Sequence, residues 1–247
     1  MSWVEIALIG TTFLTGGLVK GTIGLGLPVV VLALLAPVFG LKDALALFLV
    51  PALVTNVMQA LQGPALAALI ARLWPFLLAS VVGIGLGVRV LASAETGLLE
   101  AMLGALLIAY SALSLSVVRL PPPGARERWM APVAGGSGGV LFGMVGIFII
   151  PGILYLETLR LPRDVFVQAL GLTFITISGA LAVAMGSHGL VSETQALASA
   201  GAVIPTVAGL LLGRRLRRHV SETGFRKLFF VGLIGAGGFM IWRGLLW

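Results

Sequence analysis

A lysine stands among three glycines and a proline inside an apolar run, VKGTIGLGLP at Val19–Pro28. Glycine loosens a helix, and Pro28 has no N–H to donate, so the spacing predicts that the helix unwinds here and restarts near Leu27–Pro28. The restarted end concentrates unpaired N–H groups and about half a unit of positive charge, an arrangement suited to an anion. Lys20 adds a full cation, whose burial at mid-membrane costs about 2.5–3.5 kcal/mol on the gentlest scale. The alternative places Lys20 near an interface, with its ammonium reaching the headgroups. Candidate ligands in this stretch are Lys20, Gly21, Thr22, Gly24, Gly26 and Pro28.

A second group lies in LFLVPALVTNVMQALQG, where Thr55, Asn56 and Gln59 fall within about one turn, and Asn56 and Gln59 share a helix face. Amides in lipid are costly unless bonded, so they must face protein or a wet cavity. GLTFITISG offers Thr173, Thr176 and Ser178 at matching depth, with Thr176 corresponding to Thr55. Hydrogen bonding between helices without ligand contact is the competing reading for each. A later break, GMVGIFIIPG, supplies Gly143 and Gly146, with Pro151 at the point equivalent to Pro28. Two half-helix ends meeting at the midplane would form one anion site.

Other chemistries lack their residues. The chain has no cysteine, and its two histidines, His188 and His219, fall in expected loops, so no metal or cofactor is expected. Asp43, Glu95, Glu100, Asp164, Glu193 and Glu222 fall at helix ends or loops, and Glu5 and Glu157 near interfaces, leaving no visible proton relay. Asp43 and Asp164 read as caps of the helices that follow. A membrane enzyme would need paired acids or a nucleophile with its base, and neither is found; a structural subunit of a larger complex is a further alternative.

The elements that must position these residues follow from composition. Of 247 residues, 59% are hydrophobic and 10% charged, and the mean hydropathy is +1.11, the signature of an integral membrane protein. The runs approach the roughly 20 residues of a spanning helix and lack the alternation of a barrel. Helices are expected near 3–19, 28–39, 43–62, 65–91, 97–118, 131–150, 151–159, 164–186, 194–213 and 225–246. The second and seventh are too short to span and follow glycine-rich breaks, so 3–39 and 131–159 read as discontinuous or re-entrant elements, leaving eight crossings. The opening MSWVEIALIGTTFLTGG has no basic region or cleavage site and reads as a first helix, not a leader.

The net charge of +7 reads as a topology signal and not as nucleic-acid binding. With the loops at Lys42, Arg89, Arg160/Arg163 and GRRLRRH cytoplasmic, that side collects ten basic residues, Arg226 and Lys227 included, and both termini face away. GRRLRRH is also a contact for anionic lipid. Trp3, Trp242 and Trp247 form an interfacial belt. RLPPPGARERW is the one hydrophilic linker, and it divides 1–118 from 131–247 with 119–130 between. GTIG matches GMVG, LKDA matches PRDV and SAETG matches SETG, at offsets of about 121, 122 and 127 residues, which predicts an internal repeat. Four crossings per half would give both halves one orientation, about an axis along the membrane normal; full re-entrant hairpins would change the count and the symmetry. The fold class is thus all-α, with about eight transmembrane helices in two four-helix pseudo-repeats.

GGLVKGTIGLGLPVVVLALL, LKDALALFLVPALVTNVMQ and PFLLASVVGIGLGVRVLAS, with a degenerate second copy after the linker, resemble the TauE/SafE sulfite and organosulfonate exporter family over nearly the whole chain. The resemblance implies a multi-pass transporter of the bacterial inner membrane, moving sulfite or a small organosulfonate such as sulfoacetate outward by alternating access. Uptake carriers and channels for other small anions are the near alternatives. The family's first glycine motif carries over to Gly21, Gly24, Gly26 and Pro28, and the second to Gly143, Gly146 and Pro151. Ile147 and Phe148 stand where the first copy has LG, which implies a site weighted to the first half. The implied partners are a small anionic substrate, the bilayer and, as an open option, a second copy of the chain as a homodimer.

Overall fold

The computed structural model describes residues 2–115, 121–216 and 222–246. Arg119, Arg217, Arg218, His219, Ser221 and Trp247, assigned above to the linker, the basic loop, a turn and the interfacial belt, lie outside the described residues. The described chain is all helical: α1 Trp3–Ile23, α2 Leu27–Phe39, α3 Leu41–Ala60, α4 Leu66–Ser93, α5 Thr96–Leu115, α6 Glu127–Val145, α7 Leu154–Thr158, α8 Arg163–Ser187, α9 Glu193–Gly201, α10 Val203–Leu216 and α11 Glu222–Leu246. Six of the described helical stretches are long and apolar enough to cross a membrane: α1, α3, α4, α5, α8 and the joined α9–α10. Large apolar side chains stay outside, among them Trp3, Val183, Leu197 and Ile204, as expected where the surroundings are hydrocarbon.

Local signals set the helix ends. Ser2 and Glu5 form a reciprocal capping box at the start of α1, and Ser192 and Gln195 repeat it at α9. Asp43 and Asp164 sit inside the first turns of α3 and α8, not at their caps; their carboxylates complement the helix dipole, and Asp43 accepts a 2.8 Å hydrogen bond from Gln195 Nε2. Pro51, within α3, cannot donate to the Leu47 carbonyl one turn back. The Ser199 hydroxyl of α9 takes over, donating to that carbonyl at 2.8 Å and accepting from the Val50 N–H at 3.1 Å.

Two compact units result. One combines Met1–Pro51, Ala94–Val117 and Val191–Trp247; the other combines Ala52–Ser93 and Val118–Leu190. In the first, α1 packs along α10, α5 along α11, and α2 beside α1 and α11. In the second, α4 packs along α6 and α8, and the Ile149–Thr158 stretch lies on α6. Each unit draws helices from both sides of the central linker.

Candidate helix-break anion site

The first break is shorter than the spacing suggests. α1 stays helical through Ile23, so Lys20, Gly21 and Thr22 belong to its last turn. Only Gly24–Gly26 leave the helix: Gly24 caps α1 in the left-handed region at φ 88°, donating its N–H to the Lys20 carbonyl at 2.8 Å, and Gly26 precedes α2 at φ 109°. These are conformations that a Cβ disfavours. α2 opens with Leu27 and Pro28, and no side chain caps that end; Pro28 has no N–H and Val30 donates to the Gly26 carbonyl at 2.9 Å, which leaves the N–H groups of Leu27 and Val29 for an external acceptor. Leu27 and Val31 of α2 lie against Gly16, eight residues before the break, so α2 folds back along α1 as a hairpin arm.

Depth follows from length. The 21 residues of α1 rise about 31 Å at about 1.5 Å per residue, a full crossing. The break therefore follows a helix long enough to span by itself, and it lies beside the start of the basic run at Arg214. Lys20 is only 7% exposed, which does not suit an ammonium reaching out to headgroups.

The second break, in the other unit, begins the same way and ends differently. Gly146 caps α6 at φ 75° with its N–H on the Phe142 carbonyl at 2.8 Å. Ile150 is then extended, and around it a π-helical turn, Ile149–Ile153, leads through Pro151 into the short α7. Phe148 fills the turn, with its ring centroid 5.7 Å from that of Phe76, 6.1 Å from Phe142 and 6.3 Å from Phe174. An aromatic ring thus stands at the position where the first break has Gly26 and no side chain.

The polar residues of α3 and α8 do meet. Asn56 Nδ2 donates to Ser178 Oγ at 3.4 Å, and Gln59 Nε2 to the Val167 carbonyl at 3.2 Å. The hydroxyls of Thr22, Thr55 and Thr176 donate to carbonyls of their own helices, so those protons are not spare for an anion. Thr173 differs: its hydroxyl is fully buried and has no hydrogen-bond partner, and the Tyr155 hydroxyl is in the same condition.

Glycine decides how closely the long helices approach. In one unit a methyl group at Gly21 would come within 3.0 Å of the Arg214 nitrogen and of Gly213 Cα; in the other, a methyl at Gly143 would come within 3.0 Å of the Val88 nitrogen and of Gly87 Cα. Gly21 and Gly143, read from sequence as ligands, therefore sit at backbone-to-backbone crossings of α1 with α10 and of α4 with α6.

The family comparison weighs the whole chain. The model described as Sulfite exporter TauE/SafE matches residues 8–240, which takes in both breaks and both glycine crossings. The chain belongs to this family. Comparison with curated proteins gives no match, and comparison with solved structures gives none. TauE/SafE membership makes the chain a multi-pass membrane protein of a transporter family that handles sulfur anions such as sulfite.

Within this TauE/SafE chain, several polar groups escaped the reading of the sequence. Gln168 in α8 is buried; its Nε2 donates to the carbonyls of Ala60 and Gly63, and its Oε1 accepts from the Ala65 N–H at 2.9 Å. An amide inside DVFVQALGL is the same signal that singled out Gln59. Glu100 is buried in α5, with Arg243 Nε of α11 at 4.0 Å, and the Arg243 guanidinium also donates to the Pro37 carbonyl near the end of α2. The hairpin arm is thereby tied to two long helices of its unit. Arg72 and Glu127 pair through two hydrogen bonds of 2.8 and 2.9 Å between α4 and the first residue of α6.

Proposed function

We propose that this chain exports a small sulfur oxyanion, sulfite or an organosulfonate such as sulfoacetate, across the inner membrane of a bacterium, and that the break between α1 and α2 binds it. The observation that carries this reading is the uncapped start of α2, following two left-handed glycines one turn beyond a lysine that is 7% exposed. Helix-start N–H groups and an ammonium both donate, and neither accepts, which matches an oxyanion that only accepts. The plugged second break and the engaged hydroxyls of Thr22, Thr55 and Thr176 support a site weighted to the first half. Thr173, buried with an unused hydroxyl, is the polar group of α8 best placed to serve an ion passing through its unit.

The two halves are internal repeats in this account, of opposite orientation. Gly21 and Gly143 make equivalent contacts at an offset of 122 residues, and the partner positions Gly87 and Gly213 at 126. Counting the hairpin arm, each half has five elements instead of four, which reverses the direction of the second half. Equivalent helices then run antiparallel. In α5 and α11, Gly97 meets Gly244 while Gly104 meets Gly237; in α3 and α8, Leu53 lies by Gly179 and Ala60 by Gly171. This pattern supports an inverted repeat over the same-orientation repeat expected from eight crossings, and inverted repeats suit alternating access.

Thermal denaturation of the purified protein with sulfite, sulfoacetate, taurine and acetate tests the ligand class. Millimolar sulfite or sulfoacetate is expected to raise the midpoint by mass action and acetate to leave it unchanged. If acetate matches the sulfur anions, or none of them shifts the midpoint, this assignment of the break is wrong.

A further inference from the structure

Two helix crossings in this chain share a geometry and differ in what flanks them. At the α1–α10 crossing the residue before Gly21 is Lys20 and the facing residue is Arg214; at the α4–α6 crossing the residue before Gly143 is Phe142 and the facing residue is Val88. Phe142 and Val88 are both fully buried, so the crossing closes well with apolar flanks alone. Packing does not ask for charge at these positions. The α1–α10 crossing nevertheless carries two basic residues, with the Arg214 backbone nitrogen 3.0 Å from where a Cβ of Gly21 would stand and the adjacent Lys20 nine-tenths buried, in helices long enough to span a bilayer. Like charges held together in a poorly polar setting destabilise the empty protein, and a counter-charge between them relieves that.

We propose that Lys20 and Arg214 jointly bind one doubly charged oxyanion between the last turn of α1 and α10, immediately before α1 breaks at Gly24. The proposal rests on the oxyanion reading of that break and narrows it from any small anion to a dianion. The guanidinium can meet two oxygens of an XO₃ or XO₄ group through parallel N–H bonds, and the ammonium meets a third from α1. Arg214 is exposed while Lys20 is buried, so the ion arrives at the arginine and is held by the pair. Arg214 thereby takes a role beyond setting topology.

The same charge is carried by a free dianion or by a phosphate monoester headgroup, and neutral-lipid nanodiscs separate the two. In phosphatidylcholine nanodiscs, calorimetry with sulfate and with methanesulfonate compares a dianion with a monoanion of like oxygen chemistry. Wild-type protein should prefer sulfate by about tenfold or more, and Lys20→Met and Arg214→Met should each erase that preference. Arg215→Met, a change at the neighbouring exposed arginine, should keep it. Because each methionine variant loses a repulsion, its melting midpoint in anion-free buffer should equal or exceed that of wild type. A lower midpoint would show that the charges serve packing and would overturn the proposal. So would wild-type sulfate preference in Arg214→Met, which leaves the oxyanion reading of the break standing with its ion held elsewhere. Sulfate that is silent in neutral lipid, with stabilisation by phosphatidic acid that depends on both residues, would make the pair a headgroup site and also overturn it. Wild-type protein that binds neither anion removes both the pair and the reading beneath it.

Discussion

Gly139→Val is expected to prevent stable folding, lowering stability by at least about 3 kcal/mol. A first methyl at Gly139 already meets the Ser80 backbone, with Cα at 2.9 Å and the carbonyl carbon at 3.0 Å. Those atoms belong to α4 and cannot rotate aside as a side chain would, so α4 and α6 must separate along their length. In lipid there is little hydrophobic drive to bring them back, since association depends on the close contact itself. Gly85→Val is the matched control: it lies on α4, where a Cβ would meet nothing within 4 Å, and it should stay within about 1 kcal/mol of wild type. Thermal unfolding in detergent, followed by the monodisperse fraction, checks both. Equal midpoints for the two variants would refute the backbone-contact account of this crossing.

Gln168→Leu should be nearly as damaging, at about 3 kcal/mol or more, because each buried polar group left unpaired costs about 1–3 kcal/mol. One side chain serves the Ala60 and Gly63 carbonyls and the Ala65 N–H, the backbone groups of the turn between α3 and α4. A leucine fits the volume and satisfies none of them. Gln59→Leu removes the 3.2 Å bond to the Val167 carbonyl but leaves the backbone groups of the turn paired with Gln168, and should cost less than Gln168→Leu, about 1–2 kcal/mol. Hydrogen exchange should localise the difference, with the amide of Ala65 losing protection in Gln168→Leu and keeping it in Gln59→Leu. If both variants melt alike, Gln168 does not hold the turn.

What the sequence discloses depends on how local the cause is. The short arm α2 was legible because its signals, Gly24, Gly26 and Pro28, lie within five residues and act on their own backbone. The second arm, expected over 151–159 and found as the helical stretch Ile149–Thr158, was legible for the same reason, although the plug by Phe148 was not foreseen beyond the loss of a glycine. Gly21 was misplaced in the unwound stretch because its role is set by Leu210, Gly213 and Arg214, nearly two hundred residues away. Periodicity carries no sign of such a partner. The depth of Lys20 required the length of an unbroken α1, which the glycines at positions 21 and 24 seemed to forbid. Matched motifs suggest an offset between halves but carry no direction, so the inverted orientation proposed above rests on counting α2 as an element. Glu100 looked like a helix-end carboxylate from its place in α5, and only the approach of Arg243 from α11 makes it a buried pair.

Flux of radiolabelled sulfite in proteoliposomes holding this chain alone tests the central claim most directly. The account predicts protein-dependent, saturable flux that sulfoacetate competes away and that falls about tenfold or more in Lys20→Met, while Arg215→Met transports as wild type. Flux no greater than in empty liposomes under every imposed gradient, or flux that is indifferent to Lys20, would contradict it.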